Sequence, residues 1–215
     1  MSTKEKDLYI VGCGGKAKEV FCCLKENSRE VAGFVDKCIE GKAFFMGLPV
    51  YDEEYILSLT ENIDVVITVG NARLRRKIAE KYIKNKNISF PNVISRSAIL
   101  CGKIDIGRGN IIDAGVILTT DIKIGDFGLI NIGATIGHDV VIGNFSIINP
   151  GSNISGNVCI GDECEIGTGT KIIQGKIVAD KTVVGAGAVI IEDIKEPGCL
   201  IVGVPGRIVR KSDDR

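Results

Sequence analysis

The chain has 215 residues, enough for one large domain or two small ones. Its 27 Lys and Arg balance its 27 Asp and Glu, so electrostatics give no reason to expect nucleic acid or an anionic membrane as a partner. With 45% hydrophobic residues, 27 glycines and no tryptophan, the composition is that of a soluble globular protein. A core of Ile, Val and Gly favours β-structure with tight corners over a helical bundle.

The opening "MSTKEKDLYIVG" is not expected to be a signal peptide, and no apolar run is long enough to span a membrane. The eight cysteines, at 13, 22, 23, 38, 101, 159, 164 and 199, form no CxxC and no zinc spacing. The expectation is a cytoplasmic protein with no metal, its reduced cysteines acting as small buried hydrophobes.

Residues 1–90 read as one unit. "DLYIVGCGGKAKEVFCCLKE" is a short apolar strand, a Gly-rich turn and an amphipathic helix. "EVAGFVD" is a second strand ending in Asp36, and "LPVYDEEYILSL" is a short strand and a helix starting near Asp52. A third main strand, Asp64 to Val69, leads through Gly70-Asn71 into a basic helix. Strands alternating with helices imply a small Rossmann-like parallel sheet. The turn Gly12-Cys13-Gly14-Gly15 with Lys16 is close to a dinucleotide fingerprint, and Asp36 lies at the distance of a ribose-binding carboxylate. Ninety residues hold one mononucleotide half. The reading is a nucleotide or nucleotide-sugar site, because the turn opens a helix whose N-terminal amides favour phosphate; the alternative is a tight turn without ligand. Gly70 and Asn71 repeat that geometry, with Arg75 and Arg76 one turn on. The alternatives there are a simple Asn71 helix cap and a solvated arginine pair.

Residues 91–215 follow another rule. From Ile94 to Ile190, stepping six residues meets seventeen aliphatic residues in register with no insertion. A column two residues earlier is mostly small, as at Ala134, Ser146, Ser152, Cys164 and Ala188. Glycine often follows the aliphatic residue, as at Gly125, Gly137 and Gly143, where it is expected to supply the backbone angles of a corner. A period of six is neither helical nor alternating. It fits a prism in which each unit is one flat face plus one corner, three units make a coil, and coils stack. Seventeen units give between five and six coils. The chain's one histidine, His138, lies inside this repeat, beside Asp139.

The order of the two parts, with "YIVGCGGKAKEV", "NIGATIGHDVVIGNFSIINPGSNISGNVCIG", "VGAGAVIIEDI" and "VGVPGRIV", resembles the sugar O-acyltransferases of the sialic acid O-acetyltransferase and bacillosamine N-acetyltransferase group. The resemblance implies a left-handed parallel β-helix of hexapeptide repeats, assembled as a homotrimer. It implies acetyl transfer from acetyl-CoA, without a metal, to the amino group of a sugar linked to UDP, GDP or dTDP. His138 aligns with the family's general base, Asp139 with its acidic partner, and Asn131 with a polar residue near the reacting groups. Gly156, Gly167, Ala186 and Gly187 match backbone that lines the CoA groove, and Arg207, Arg210 and Lys211 are plausible phosphate partners. Asn131 also reads as a corner residue of the prism. Two positions depart from the family: Lys16 and Ile147 each stand where members carry histidine, so backbone amides around Gly156 would polarise the thioester instead. The alternatives are O-acetylation of a sugar such as sialic acid, or a non-catalytic nucleotide-sugar sensor. One histidine excludes the three-histidine zinc site of γ-class carbonic anhydrases, which share the prism.

Overall fold

The computed structural model describes residues 6–37 and 44–210; Cys38 and Lys211 lie outside that range. Strand β1 (Leu8–Val11) leads through the Gly-rich turn into helix α1 (Gly15–Glu26). Strands β2 (Gly33–Val35), β3 (Phe44–Phe45) and β4 (Leu48–Tyr51) follow, then α2 (Glu53–Ser58), β5 (Ile63–Ile67), α3 (Ala72–Tyr82) and β6 (Ile88–Ser89). They form one sheet in the order β3-β4-β2-β1-β5-β6, parallel except for the β3–β4 hairpin. The expected parallel sheet is present, with β2 shorter than the sequence suggested.

From Val93 the chain winds as a three-walled prism. Wall one carries Val93–Ile94, Ile111–Ile112, Leu129–Ile130, Ile147–Ile148, Glu165–Ile166, Val183–Val184 and Leu200–Val202, closed by the antiparallel strand Arg207–Arg210. Wall two has six strands, from Ile99–Leu100 to Val189–Ile190, and wall three has five, from Ile104–Ile106 to Ile177–Val178. Strands pair in parallel with those eighteen residues later, as Ile112 with Ile130 and Ile136 with Ile154, until the last pair on wall one, where Val183 meets Leu200. The aliphatic column and the small column fill the interior, where Ile130, Ala134, Ile148 and Ile166 are fully buried. Period six gives the walls; the stack of eighteen gives the coils.

The glycines after the aliphatic residues work by a different means from the one expected. Positive φ falls two residues further on, at Gly187 (+69°) and at Asp139 and Phe145. Gly137 is instead a point of close approach: a Cβ there would lie 2.6 Å from the Gly156 nitrogen of the next coil. The constraint is the spacing between coils, not backbone angle.

The α/β unit packs on wall one. Outward residues Val93, Ile111, Leu129 and Ile147 share a buried apolar cluster with Leu8, Ile10, Ala17, Val20 and Phe34. Arg75 pins this junction. It is fully buried, and its guanidinium donates to the carbonyls of Phe127 (2.6 Å), Gly109 (3.2 Å), Gly128 (3.4 Å), Ile67 and Val69. Neither a ligand role nor a solvated one fits it. Burial lowers its pKa to about 10, which leaves it a cation at neutral pH. Arg76 is half-exposed and pairs with Glu80 and Glu163.

The cysteines also differ from expectation. Among the described residues only Cys164 and Cys199 are buried, while Cys22, Cys101 and Cys159 are exposed. At Cys101 and Cys159 the coil geometry asks only for a short side chain facing outward. No described helix is long and apolar enough to cross a membrane.

Candidate active site

A cavity of 610 Å³ opens at the carboxyl ends of β1, β2 and β5, where parallel sheets bind ligands. The turn Gly12 to Lys16 forms one rim, with Asp36, Thr68 and Gly70. Val35, Val69, Leu74 and Ile78 supply apolar walls, and Lys37, Lys77, Lys81 and Glu53 line the rest. Four lysines against two carboxylates favour an anionic ligand. Gly12 has φ of +109°, and a Cβ there would lie 2.8 Å from Thr68 Oγ1, so only glycine fits. The Cys13 amide donates to Asp36 Oδ2 at 3.1 Å, which ties the turn to the end of β2.

The two strand-to-helix junctions are not alike. Helix α1 has Gly14 at its N-cap, with no side-chain cap and no acidic residue in its first turn, so its first amides are free to meet an anion. The α3 end is already taken. Asn71 Oδ1 accepts from the Leu74 amide, Asn71 Nδ2 donates to Glu165 Oε1 at 2.8 Å, and the same carboxylate accepts from the Ala72 amide. Asn71 is a cap and a strut to the prism rather than part of the cavity lining, which corrects its placement among the ligand contacts.

Lys16 meets Asn131 across the junction. Its Nζ donates to Asn131 Oδ1 at 3.0 Å, to Asp113 Oδ2 at 2.7 Å and to Glu19. Asp113 and Asn131 are buried at successive coils of the edge between walls one and two. Burial pushes the Asp113 carboxyl upward, and the ammonium of Lys16 opposes that shift. Asp113 is absent from the sequence-based candidates.

His138 sits on the other edge of wall two, at the corner with wall three. Its Nδ1–H donates to Asp139 Oδ2 at 2.8 Å. A carboxylate only accepts, so Nε2 is left with the free lone pair. Asp139 reaches the ring from a left-handed corner position (φ 60°) that aspartate tolerates. The imidazole lies on Gly156, one coil on: a Cβ at Gly156 would come within 2.4 Å of Nε2. Both side chains are more than half exposed.

The remaining candidates fall on two edges. Gly156 lies under His138, while Gly167, Ala186 and Gly187 continue the edge that carries Asn131. Arg207 is exposed on the terminal strand, 3.9 Å from Glu192. Ile147 is buried in the interdomain apolar cluster on wall one and does not face the His138 corner. Among the described residues no group of three or more His, Cys, Asp or Glu is placed to hold a metal ion.

Residues 7–82 match the family model described as the PglD N-terminal domain. The acetyltransferase domain of PglB from Neisseria gonorrhoeae FA1090 superimposes with a TM-score of 0.89 at 31% identity, over 95% of this chain and 100% of that one. The chain belongs to the hexapeptide-repeat sugar acetyltransferases. It is an acyl-transfer enzyme. PerB from Caulobacter crescentus, solved with CoA and GDP-perosamine, is 31% identical over 95% of this chain and 97% of its own, with a TM-score of 0.85. WeeI from Acinetobacter baumannii AYE is 27% identical over 95% and 100%, with a TM-score of 0.83. No relative was found among curated protein sequences.

Proposed function

We propose that this enzyme transfers an acetyl group from acetyl-CoA to the amino group of a nucleotide-linked amino-deoxy sugar, with His138 as general base. The observation that carries the reading is the His138–Asp139 pair, which leaves Nε2 as the free nitrogen at an open corner. The neutral amine attacks the thioester carbonyl while Nε2 accepts its proton. A C–N bond forms, the C–S bond breaks, and the imidazolium returns its proton to the departing thiolate. Asp139 fixes the tautomer and stabilises the imidazolium. The Gly156 amide is left to meet the developing oxyanion, since those of Ser155 and Asn157 donate to Ile172 O and His138 O.

The nucleotide occupies the α/β cavity, its phosphates on the Gly12–Lys16 turn and α1 amides, its ribose near Asp36. From there the sugar points to the edge carrying Asn131. His138 lies across wall two from that edge, seven residues on from Asn131, on the order of 20 Å at ~3.3 Å per residue. A single copy therefore keeps base and substrate apart. A homotrimer brings the His138–Gly156 edge of one copy to the Asn131–Gly167–Ala186–Gly187 edge of the next, with acetyl-CoA between them and Arg207 toward its phosphates. Sedimentation equilibrium returning a monomer would end this shared-site reading. Acetyl-CoA and nucleotide sugars place the enzyme in the cytoplasm.

The test is thiol release from acetyl-CoA against UDP-, GDP- and dTDP-linked 4-amino-sugars, with free sialic acid alongside. Release with one nucleotide amino-sugar is expected. Release with sialic acid alone would turn the reading to O-acetylation, and acetyl-CoA binding without release on any acceptor would leave a sensor.

Gly156 gives a second check. Gly156→Ala is expected to push the imidazole off its seat and lower kcat by about 100-fold, since ångström-scale misplacement costs that much. Nucleotide binding should be unchanged. The chain has one histidine, so its imidazole NMR signals are unambiguous and should shift in the variant. Unaltered turnover would show that the seat does not matter.

A further inference from the structure

The ammonium of Lys16 is fully engaged. It has three N–H donors and no more, and Asp113, Asn131 and Glu19 take all three. Two of these acceptors are fixtures of the prism. Asp113 and Asn131 are buried, and their own amides are held in the coil ladder by Ile130 O and Ile148 O. The third is of another kind. Glu19 lies one turn along α1, its side chain 48% exposed against 13% for Lys16, and its bond to Lys16 is local (i,i+3). The lysine meanwhile lines the cavity at the uncapped start of α1.

We propose that Glu19 is a displaceable acceptor on Lys16: the diphosphate of the nucleotide sugar takes its place, while Asp113 and Asn131 hold the ammonium still. This rests on the reading of the cavity as a nucleotide-sugar site. The consequence is selectivity. A carboxylate already on Lys16 yields to a group that brings more negative charge and also reaches the α1 amides, as a diphosphate does. A neutral free sugar cannot evict it. Glu19 thus sets a threshold that favours nucleotide-activated substrates over neutral free sugars.

The test is calorimetric titration of UDP, GDP and dTDP into the full chain and into E19Q, K16M and K16M/E19Q. Gln keeps the shape of Glu19 and removes its charge. The nucleotide that the unmodified chain binds should bind E19Q about fivefold tighter, the scale of one exposed ion pair. That gain should vanish between K16M and the double variant, because the competition needs Lys16. Equal affinity of E19Q and the unmodified chain overturns the proposal alone. A gain that persists without Lys16 also overturns it, by reducing Glu19 to general repulsion. No binding of any nucleotide to either protein overturns the nucleotide-site reading as well.

Discussion

Replacing His138 by alanine is expected to lower kcat by about 10² to 10⁴-fold, the range supplied by a positioned general base. Nucleotide affinity should not change, because His138 lies at the corner of walls two and three and the α/β cavity lies over wall one. The replacement removes an exposed ring and leaves the buried prism intact, so thermal stability should move little. An H138A enzyme that kept its turnover would sink the general-base assignment. The shared-site geometry makes the result sharper. G12V should also be inactive, for a different reason: its Cβ meets Thr68 and its φ is closed to valine. In trimers assembled from equal parts of H138A and G12V, about a quarter of the interfaces join an intact base to an intact cavity. Mixing two inactive proteins should therefore restore about a quarter of the activity. Silence after subunit exchange would mean that base and cavity work within one copy.

The prism was legible because its period is long and unbroken, whereas its corners were not. Read at six residues, the three corners of the prism are superposed, and a polar residue looks like noise. Read at eighteen, one edge becomes Ser95, Asp113, Asn131 and Asn149, and Asp113 stands out as a carboxylate in a row whose first three members are buried. The glycine corners hide their physics from the sequence for the same reason. Close approach is a property of stacked coils, and no single hexapeptide contains it. His138 was legible through the family resemblance, whereas its seat on Gly156 needed coordinates, since eighteen residues separate the two.

The arginine pair of α3 shows what local reading leaves out. Ala72, Arg75, Ala79 and Tyr82 form the buried stripe of that helix, at the three- and four-residue spacing of one helical face. Arg75 falls on the stripe and Arg76 beside it. Charge argues that both are solvated; periodicity argues that one is not. Periodicity prevails because the junction gathers five backbone carbonyls, of which Gly128 O also takes the Ile111 amide, and a planar guanidinium spans them.

Arg75→Met is expected to destabilise the protein by about 3 kcal/mol or more, because buried acceptors left without a donor cost about 1–3 kcal/mol each and methionine restores only the apolar volume. For a chain of this size that corresponds to a drop in Tm of about 6–12 °C. Removing the buried cation recovers some desolvation energy, which keeps the estimate well below the sum over five carbonyls. Arg76→Met serves as the comparison. It deletes an ion pair to the exposed Glu80 and one to Glu163, whose side chain is 7% exposed, and costs about 1–2 kcal/mol, so its Tm should fall by less than that of Arg75→Met. Thermal unfolding followed by circular dichroism separates the two. If R75M melted with R76M, the junction would be held by its apolar cluster alone. If only R75M fell, the α/β unit would owe its seat on wall one to a buried cation. The orientation of the nucleotide cavity toward the Asn131 edge would then depend on that same residue, because the pairing of Lys16 with Asp113 and Asn131 forms across the junction that Arg75 keeps closed.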